Sequence, residues 1–159
     1  MLYYIIDKTM SDCLRAYIID EDKNPMSGTT KEGYDWEIIR TSMELLSGYI
    51  ILKEGHKYYD EPDFTESKCP FKQPHGGVTF DQIENNQRRL GFDTGHYGDL
   101  TSIGFVTLSQ IIEDPNYNDE YSVDKALNGG YCDIVPGTYK NYDFVLNEIV
   151  EWSESIGKN

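Results

Sequence analysis

The chain has 159 residues, 38% of them hydrophobic and 13% aromatic, and its formal net charge at pH 7 is −14. This length and this content of large side chains predict one domain with a buried core and exclude a disordered protein. The negative charge disfavours binding to nucleic acids or anionic membranes, because both depend on Lys and Arg. The acidic residues are scattered, so we attribute the charge mainly to solubility.

Cysteine usage and hydropathy both favour a cytoplasmic protein. The three cysteines are odd in number and widely spaced, which predicts free thiols rather than a disulfide framework or a CxxC metal motif. The apolar run at the N-terminus is too short for a signal peptide and has no basic region before it. No segment approaches the roughly 20 apolar residues of a membrane span. The cysteines are Cys13, Cys69 and Cys132.

The N-terminal third of the chain predicts short elements separated by a loop. Residues 2–6, rich in Tyr and Ile, favour a strand, whereas residues 14–19 suit either a strand or a helix. Residues 20–33 are charged and contain Pro and Gly, which is typical of a loop. A helix is expected over residues 34–46, where apolar side chains recur at helical spacing. These side chains are Trp36, Ile39, Met43 and Leu46.

The middle of the chain predicts a small sheet. Residues 48–53 favour a strand, and residues 55–74, with three prolines, favour an irregular but ordered loop. Residues 77–80 and 90–93 are expected to form two strands joined by the polar connection 81–89. The acidic stretch that follows, rich in Asn and Gly, predicts a surface insertion near 105–130 within the single domain 1–159.

The C-terminal segment carries the clearest helical pattern. Its apolar residues fall at i, i+3, i+4, i+7 and i+8, Thr138 could cap the helix, and Gly157 would end it. The fold class is therefore α+β, with a small mixed or antiparallel sheet and a long C-terminal helix packed on it. The residues of the apolar face are Tyr142, Val145, Leu146, Ile149 and Val150.

Two of the three histidines lie in one glycine-rich segment between His75 and Asp99. Pairing of the two strands predicted in this segment would bring its pieces together around one pocket. Each residue also has a structural explanation, such as a glycine turn or an aspartate cap. The residues expected to bind a ligand there are His75, Gly76, Gly77, Thr79, Arg88, Arg89, Asp93, His96 and Asp99.

Three chemistries suit this set of residues. Asp93, His96 and Asp99, spaced by three, could bind a divalent metal as cofactor, although no HExxH motif is present. His75 and His96 could instead act as catalytic acid and base. In the third case, the amides of Gly76 and Gly77 would hold a phosphate group.

The distribution of positive charge favours an anionic ligand. The stretch from Ser67 to Phe80 holds Lys68 and Lys72 and no acidic residue, and two arginines follow it. An anion needs such a local reversal of charge in an acidic protein. Arg88 or Arg89 would supply the charge, and a contribution from a neighbouring subunit would require a homo-oligomer.

The order of these motifs resembles a family of small bacteriophage and prophage proteins with an HGG(L/V)T pattern, a GFDxxHxGD pattern and a C-terminal helix. The resemblance covers roughly residues 48–156. It implies an accessory protein in the cytoplasm of an infected or lysogenic host, of a kind that often counters host defence by sequestering or cleaving nucleotide-derived signals. Thr94-Gly95 stand where many relatives have Cys-Ala, so no thiol role carries over. The matching residues are Gly48-Tyr49, Gly55-His56, His75–Thr79, Gly91–Asp93, His96 and Gly98-Asp99.

Three functions therefore remain open at the level of sequence. The first is sequestration of a nucleotide-derived small molecule. The second is hydrolysis of a phosphodiester in such a molecule, with a metal or with paired histidines. The third is an acidic protein that blocks a basic host surface, for which substitutions of the histidines would be silent and high salt would weaken the complex.

Overall fold

A computed structural model of the chain describes residues 12–100 and 138–159, and only the backbone of residues 12–14. The predicted strand 2–6 and the predicted insertion near 105–130 lie outside this range. The elements, in chain order, are helix α1 (Asp12–Glu21), strands β1 (Ser27–Thr29), β2 (Asp35–Arg40), β3 (Leu46–Lys53), β4 (Phe80–Glu84) and β5 (Gln87–Asp93), and helix α2 (Tyr142–Ile156).

The described residues belong to two compact units that are interleaved along the sequence. The first unit takes in residues 12–24, 40–46, 94–100 and 138–142. The second unit takes in residues 25–39, 47–93 and 143–159. The single domain expected for the chain stays a prediction.

The five strands form one sheet in the order β1-β2-β3-β5-β4. β3 pairs with β5 and β5 with β4, both antiparallel. A two-residue turn with positive φ at Asn85 (53°) and Asn86 (58°) joins β4 to β5, and such turns match the twist of a hairpin. The strands therefore continue through residues 81–84 and 87–89, where the sequence predicted a polar connection. The α+β class with an antiparallel sheet is confirmed.

The helix predicted over residues 34–46 is wrong, because the segment forms strand β2 and a tight turn. Trp36 and Ile38 are buried while Ile39 is 42% exposed, which is the two-residue alternation of a strand. Met43 is also exposed, so two of the four residues at helical spacing face solvent. A backbone hydrogen bond from Thr41 N–H to Leu45 O closes the turn before β3.

Helix α2 has 15 residues and is shorter than predicted. It begins at Tyr142, so Thr138 does not cap it, and it ends before Gly157, whose φ is 88°. Val150, predicted on the apolar face, is 39% exposed. The buried face continues instead through Trp152, whose ring packs against Phe92 of β5.

Two further predictions concern residues 14–19 and the cysteines. The ambiguous segment is helical and lies within α1. Cys69 is a buried free thiol, as expected, and its pKa is raised by burial. Neither helix in the described residues is long and apolar enough to cross a membrane.

Candidate functional site

The first unit contains a tight turn that carries His96 and Asp99. The backbone N–H of Asp99 donates to His96 O at 2.9 Å, and the N–H of His96 donates to Asp99 Oδ2 at 3.0 Å. Imidazole Nδ1 of His96 lies 3.6 Å from the same carboxylate oxygen. Thr94 anchors the start of the turn by donating from its hydroxyl to Leu46 O. The turn therefore holds one imidazole against one carboxylate.

A lysine approaches the other oxygen of this carboxylate. Lys140 Nζ lies 3.5 Å from Asp99 Oδ1 and also contacts the Thr138 hydroxyl. A parallel bridge between Asp99 and Thr138 brings the two chain segments together. Asp99 is 3% exposed, whereas Tyr97, at the tip of the same turn, is fully exposed. A buried carboxylate thus orients an imidazole and an ammonium group beside an exposed aromatic ring.

This arrangement suits two kinds of chemistry. A carboxylate that contacts an imidazole nitrogen fixes the ring orientation and can stabilise the imidazolium form, as required of an acid–base pair. An imidazolium and an ammonium together can also bind a phosphate group. At the His96–Asp99 turn, the described residues of this unit bring one imidazole and one carboxylate together, which is two ligands of the three or more that metal sites use.

The second unit holds His75 in a separate turn. Its backbone N–H donates to Glu148 Oε2 at 2.8 Å, and its ring meets Phe144 edge to face. The N–H of Gly77 donates to Pro74 O at 2.9 Å, and both Gly76 and Gly77 have positive φ. The glycines therefore serve the turn. The Gly77 N–H, expected to hold phosphate, already donates to Pro74 O. The His75 N–H already donates to the Glu148 carboxylate.

Thr79 and Asp93 come together in the second unit, where strand pairing was expected to place them. The Thr79 hydroxyl donates to Asp93 Oδ2 at 3.0 Å, and the Thr79 N–H donates to Gly91 O. Asp93 thus has a hydroxyl partner beside it. His75 and Asp93 belong to the second unit, and His96 and Asp99 to the first. A pocket shared by all four residues stays a prediction.

Arg88, which the sequence predicted to contact a ligand, has its contacts within the protein. Its side chain is 2% exposed, and the guanidinium forms a two-bond ion pair with buried Asp81 at 2.8 and 2.6 Å. The remaining N–H groups donate to four backbone carbonyls of the loop before β4. Arg88 therefore holds the loop in place. Arg89, on the other face of β5, pairs with Glu37 and lies over the Tyr49 ring at 4.1 Å.

Sequence reasoning missed a buried polar cluster in the first unit. Arg40 Nη2 lies 3.1 Å from Glu21 Oε1, and the Tyr139 hydroxyl donates to the same oxygen at 2.8 Å. Burial raises the pKa of Tyr139, so the phenol stays protonated and remains a donor. The three residues are far apart in sequence, and no local pattern could have grouped them.

His56 has a structural role that its hydrogen bonds define. The Tyr34 hydroxyl donates its proton to Gly157 O at 2.7 Å, so His56 Nε2, 2.8 Å from that hydroxyl, must be the donor between them. Nδ1 accepts from the Tyr58 N–H at 3.1 Å. The imidazole is therefore neutral and protonated on Nε2. Burial, aided by Lys57, lowers its pKa.

The lowered pKa of His56 predicts that the protein loses stability as the pH falls from 7.5 to 5. The unfolded chain protonates this histidine near its ordinary pKa of about 6.5, whereas the folded chain resists protonation, so acid favours unfolding in this window. In His56→Gln, which keeps a donor for Tyr34, the urea midpoint should depend less on pH. Glu32 and Asp63 have carboxylates with lowered pKa values, and these affect the stability of the protein only at lower pH. An unchanged pH dependence in the variant would contradict this role.

The pattern from His75 to Asp99 is the part of the sequence that suggested a family. In the structure this pattern forms two turns and a pair of strands, each with defined hydrogen bonds. Comparison with known proteins adds no relative, because no family model, no curated protein and no solved structure matches this chain.

Proposed function

We propose that the chain is a phage-type accessory protein of the bacterial cytoplasm that binds and sequesters a nucleotide-derived small molecule. The observation that carries the proposal is the contact of buried Asp99 with both His96 and Lys140 at a turn that exposes Tyr97. This turn offers an imidazole and an ammonium group as donors for phosphate, and one ring for stacking on a base. An anti-defence role follows only from the resemblance to phage proteins.

The residues would divide the work of binding in a defined way. His96, when protonated, and Lys140 would bind a phosphate oxygen, while Asp99 keeps their side chains in position. Tyr97 would stack on the base. Arg88 and the Gly77 amide do not belong to the proposal, because both have internal partners.

The proposal predicts binding that depends on His96. Calorimetry of the purified protein with cyclic dinucleotides and with ADP-ribose should detect one ligand that binds. His96→Ala should weaken its affinity by about tenfold or more, because a charge-assisted hydrogen bond contributes roughly 1.5–3 kcal/mol. Lys23→Ala is the matched control, since Lys23 lies in the same unit as His96, is exposed and pairs with Asp20. Absence of heat with every ligand, or full affinity in His96→Ala, would refute the proposal.

The contact between His96 and Asp99 also favours a second candidate function, hydrolysis of a phosphodiester in the same class of ligand. His96 would act as general acid or base, or would join Asp99 as a ligand of a divalent metal. Turnover measured by chromatography, lost in His96→Ala with the fold intact, would identify a hydrolase. Binding without turnover would identify sequestration, and metal analysis of the purified protein would separate the two hydrolytic routes.

A further inference from the structure

Three lysines surround an open hollow in the second unit, at some distance in sequence from the motifs discussed so far. Lys53 ends β3, Lys57 follows the turn after that strand, and Lys158 follows α2. The hollow has a volume of about 420 Å³. Its complete lining consists of Lys53, Glu54, Gly55, His56, Lys57, Lys158 and Asn159.

The backbone on both sides of the hollow is held in place. On one side, Gly55 has a φ of 90° and the N–H of His56 donates to Lys53 O at 3.1 Å, which forms the turn between Lys53 and Lys57. On the other side, Asn159 donates from its backbone N–H to Glu32 O and from its side chain to Gly33 O, both at 3.1 Å. The two segments that carry the lysines are therefore fixed before any ligand arrives.

The side chains are also partly preoriented. The ammonium group of Lys57 lies 4.9 Å from the centre of the Tyr58 ring, within the range of a cation–π contact. His56 lines the hollow as a neutral imidazole, because both of its nitrogens are already hydrogen bonded within the second unit. The lysines are thus the charged donors that an incoming anion would meet.

Two of the three lysines of the hollow have no ion-pair partner among the described residues. Lys53 has a partner in Asp35 at 3.3 Å, and both side chains are largely exposed. Lys57 and Lys158 make no ion pair within residues 12–100 and 138–159, and Glu54 is the single acidic side chain of the lining. Acidic residues outnumber basic ones 28 to 14 in this chain, so two ammonium groups without a carboxylate partner at one site are unexpected. An anion would relieve their mutual repulsion.

We propose that this hollow is an anion-binding site for the phosphate or pyrophosphate group of a small soluble molecule. Lys57 and Lys158 supply the principal contacts and Lys53 a third, while Glu54 limits the affinity. The site is independent of His96 and of the proposed nucleotide pocket. Soluble ligands are favoured over a lipid headgroup because the net charge of −14 would repel an anionic membrane.

The rival explanation is that Lys57 and Lys158 only complement the negative end of the α2 dipole. The ammonium of Lys57 lies close to Gly157, directly after the last turn of this helix. A dipole role predicts that removing the lysines lowers stability and leaves anion binding unchanged. Anion binding and stability must therefore be measured separately in the same variants.

The test is titration of the intact chain with inorganic pyrophosphate, followed by calorimetry at constant ionic strength. The double variant Lys57→Ala/Lys158→Ala should bind at least about tenfold more weakly than the wild type, because it loses two charge-assisted contacts. Lys72→Ala, which removes an exposed and paired lysine elsewhere in the second unit, should bind as the wild type does. Glu54→Gln should bind about twofold more tightly or better, since it removes a like charge.

Two results would overturn the proposal. One is equal affinity for pyrophosphate in the wild type and the double variant, which would show that the lysines only complement the dipole of α2. The other is a wild-type chain whose affinity for pyrophosphate is no higher than its affinity for chloride. Binding to vesicles of anionic lipid, lost in the double variant, with no binding of free pyrophosphate would contradict the soluble ligand.

Discussion

Replacing Arg88 with Leu is expected to lower the free energy of unfolding by about 3–5 kcal/mol, the range found when one partner of a buried ion pair is removed. The substitution leaves the Asp81 carboxylate, 3% exposed, without its cation. It also leaves four backbone carbonyls between Tyr58 and Pro62 without their common donor. Unpaired buried polar groups are costly because folding removes their water. Urea unfolding should show the loss.

The neighbouring arginine provides a matched control for this prediction. Arg89 lies on the opposite face of the same strand, is about one-third exposed and pairs with partly exposed Glu37. Arg89→Leu should therefore cost about 1 kcal/mol or less, as is usual for exposed pairs. Limited proteolysis should cleave the loop around residues 58–62 faster in Arg88→Leu alone. Equal destabilisation by the two substitutions would show that Arg88 does not hold this loop.

Replacing Trp152 with Ala is expected to cost about 3–5 kcal/mol, the usual range when a large aromatic side chain is removed from a core. Trp152 is 1% exposed, and its ring packs against Phe71 at 6.4 Å and Phe92 at 5.9 Å between ring centres. The truncation would therefore leave a cavity between α2 and the sheet. Thermal and urea unfolding of the variant should both shift to milder conditions.

Trp152→Phe separates packing from hydrogen bonding at this position. The indole Nε1 is buried and has no hydrogen-bond partner among the described residues. Phenylalanine therefore removes some volume but no hydrogen bond, and we expect a cost below about 2 kcal/mol. A cost equal to that of Trp152→Ala would contradict this assignment and would indicate that the indole N–H has a partner.

Local patterns predicted the parts of the fold in which a single element determines its own conformation. β3 was expected at 48–53 because β-branched and aromatic residues lie between two breakers, and it forms at Leu46–Lys53. α2 was expected from its apolar periodicity, and Gly157 ends it as predicted. Two strands were predicted where β4 and β5 form, but the tight Asn85-Asn86 turn between them was not predicted.

The failed predictions share one cause. In β2, residues Trp36 and Ile39 matched a helical spacing, yet only Trp36 is buried, because the sheet can use just one face of this strand. Arg88 was predicted from the sequence to bind a ligand, but its ion-pair partner Asp81 lies diagonally across the hairpin, on β4, with a side chain that is 3% exposed. Periodicity and charge indicate which environments suit a residue. Contacts across the sheet decide whether its side chain is buried or exposed and whether its charge is paired.

The sequence by itself determined the acidic character, the α+β class and the last helix, because each depends on composition or on residues close together in the chain. Only the tertiary structure decided which charges are internal and which are available. Arg88 is buried and holds the loop before β4 in place by hydrogen bonds. Lys57 and Lys158, about 100 residues apart in sequence, line one hollow. The physical reason is that burial and charge pairing depend on neighbours brought together by folding, which no local pattern encodes.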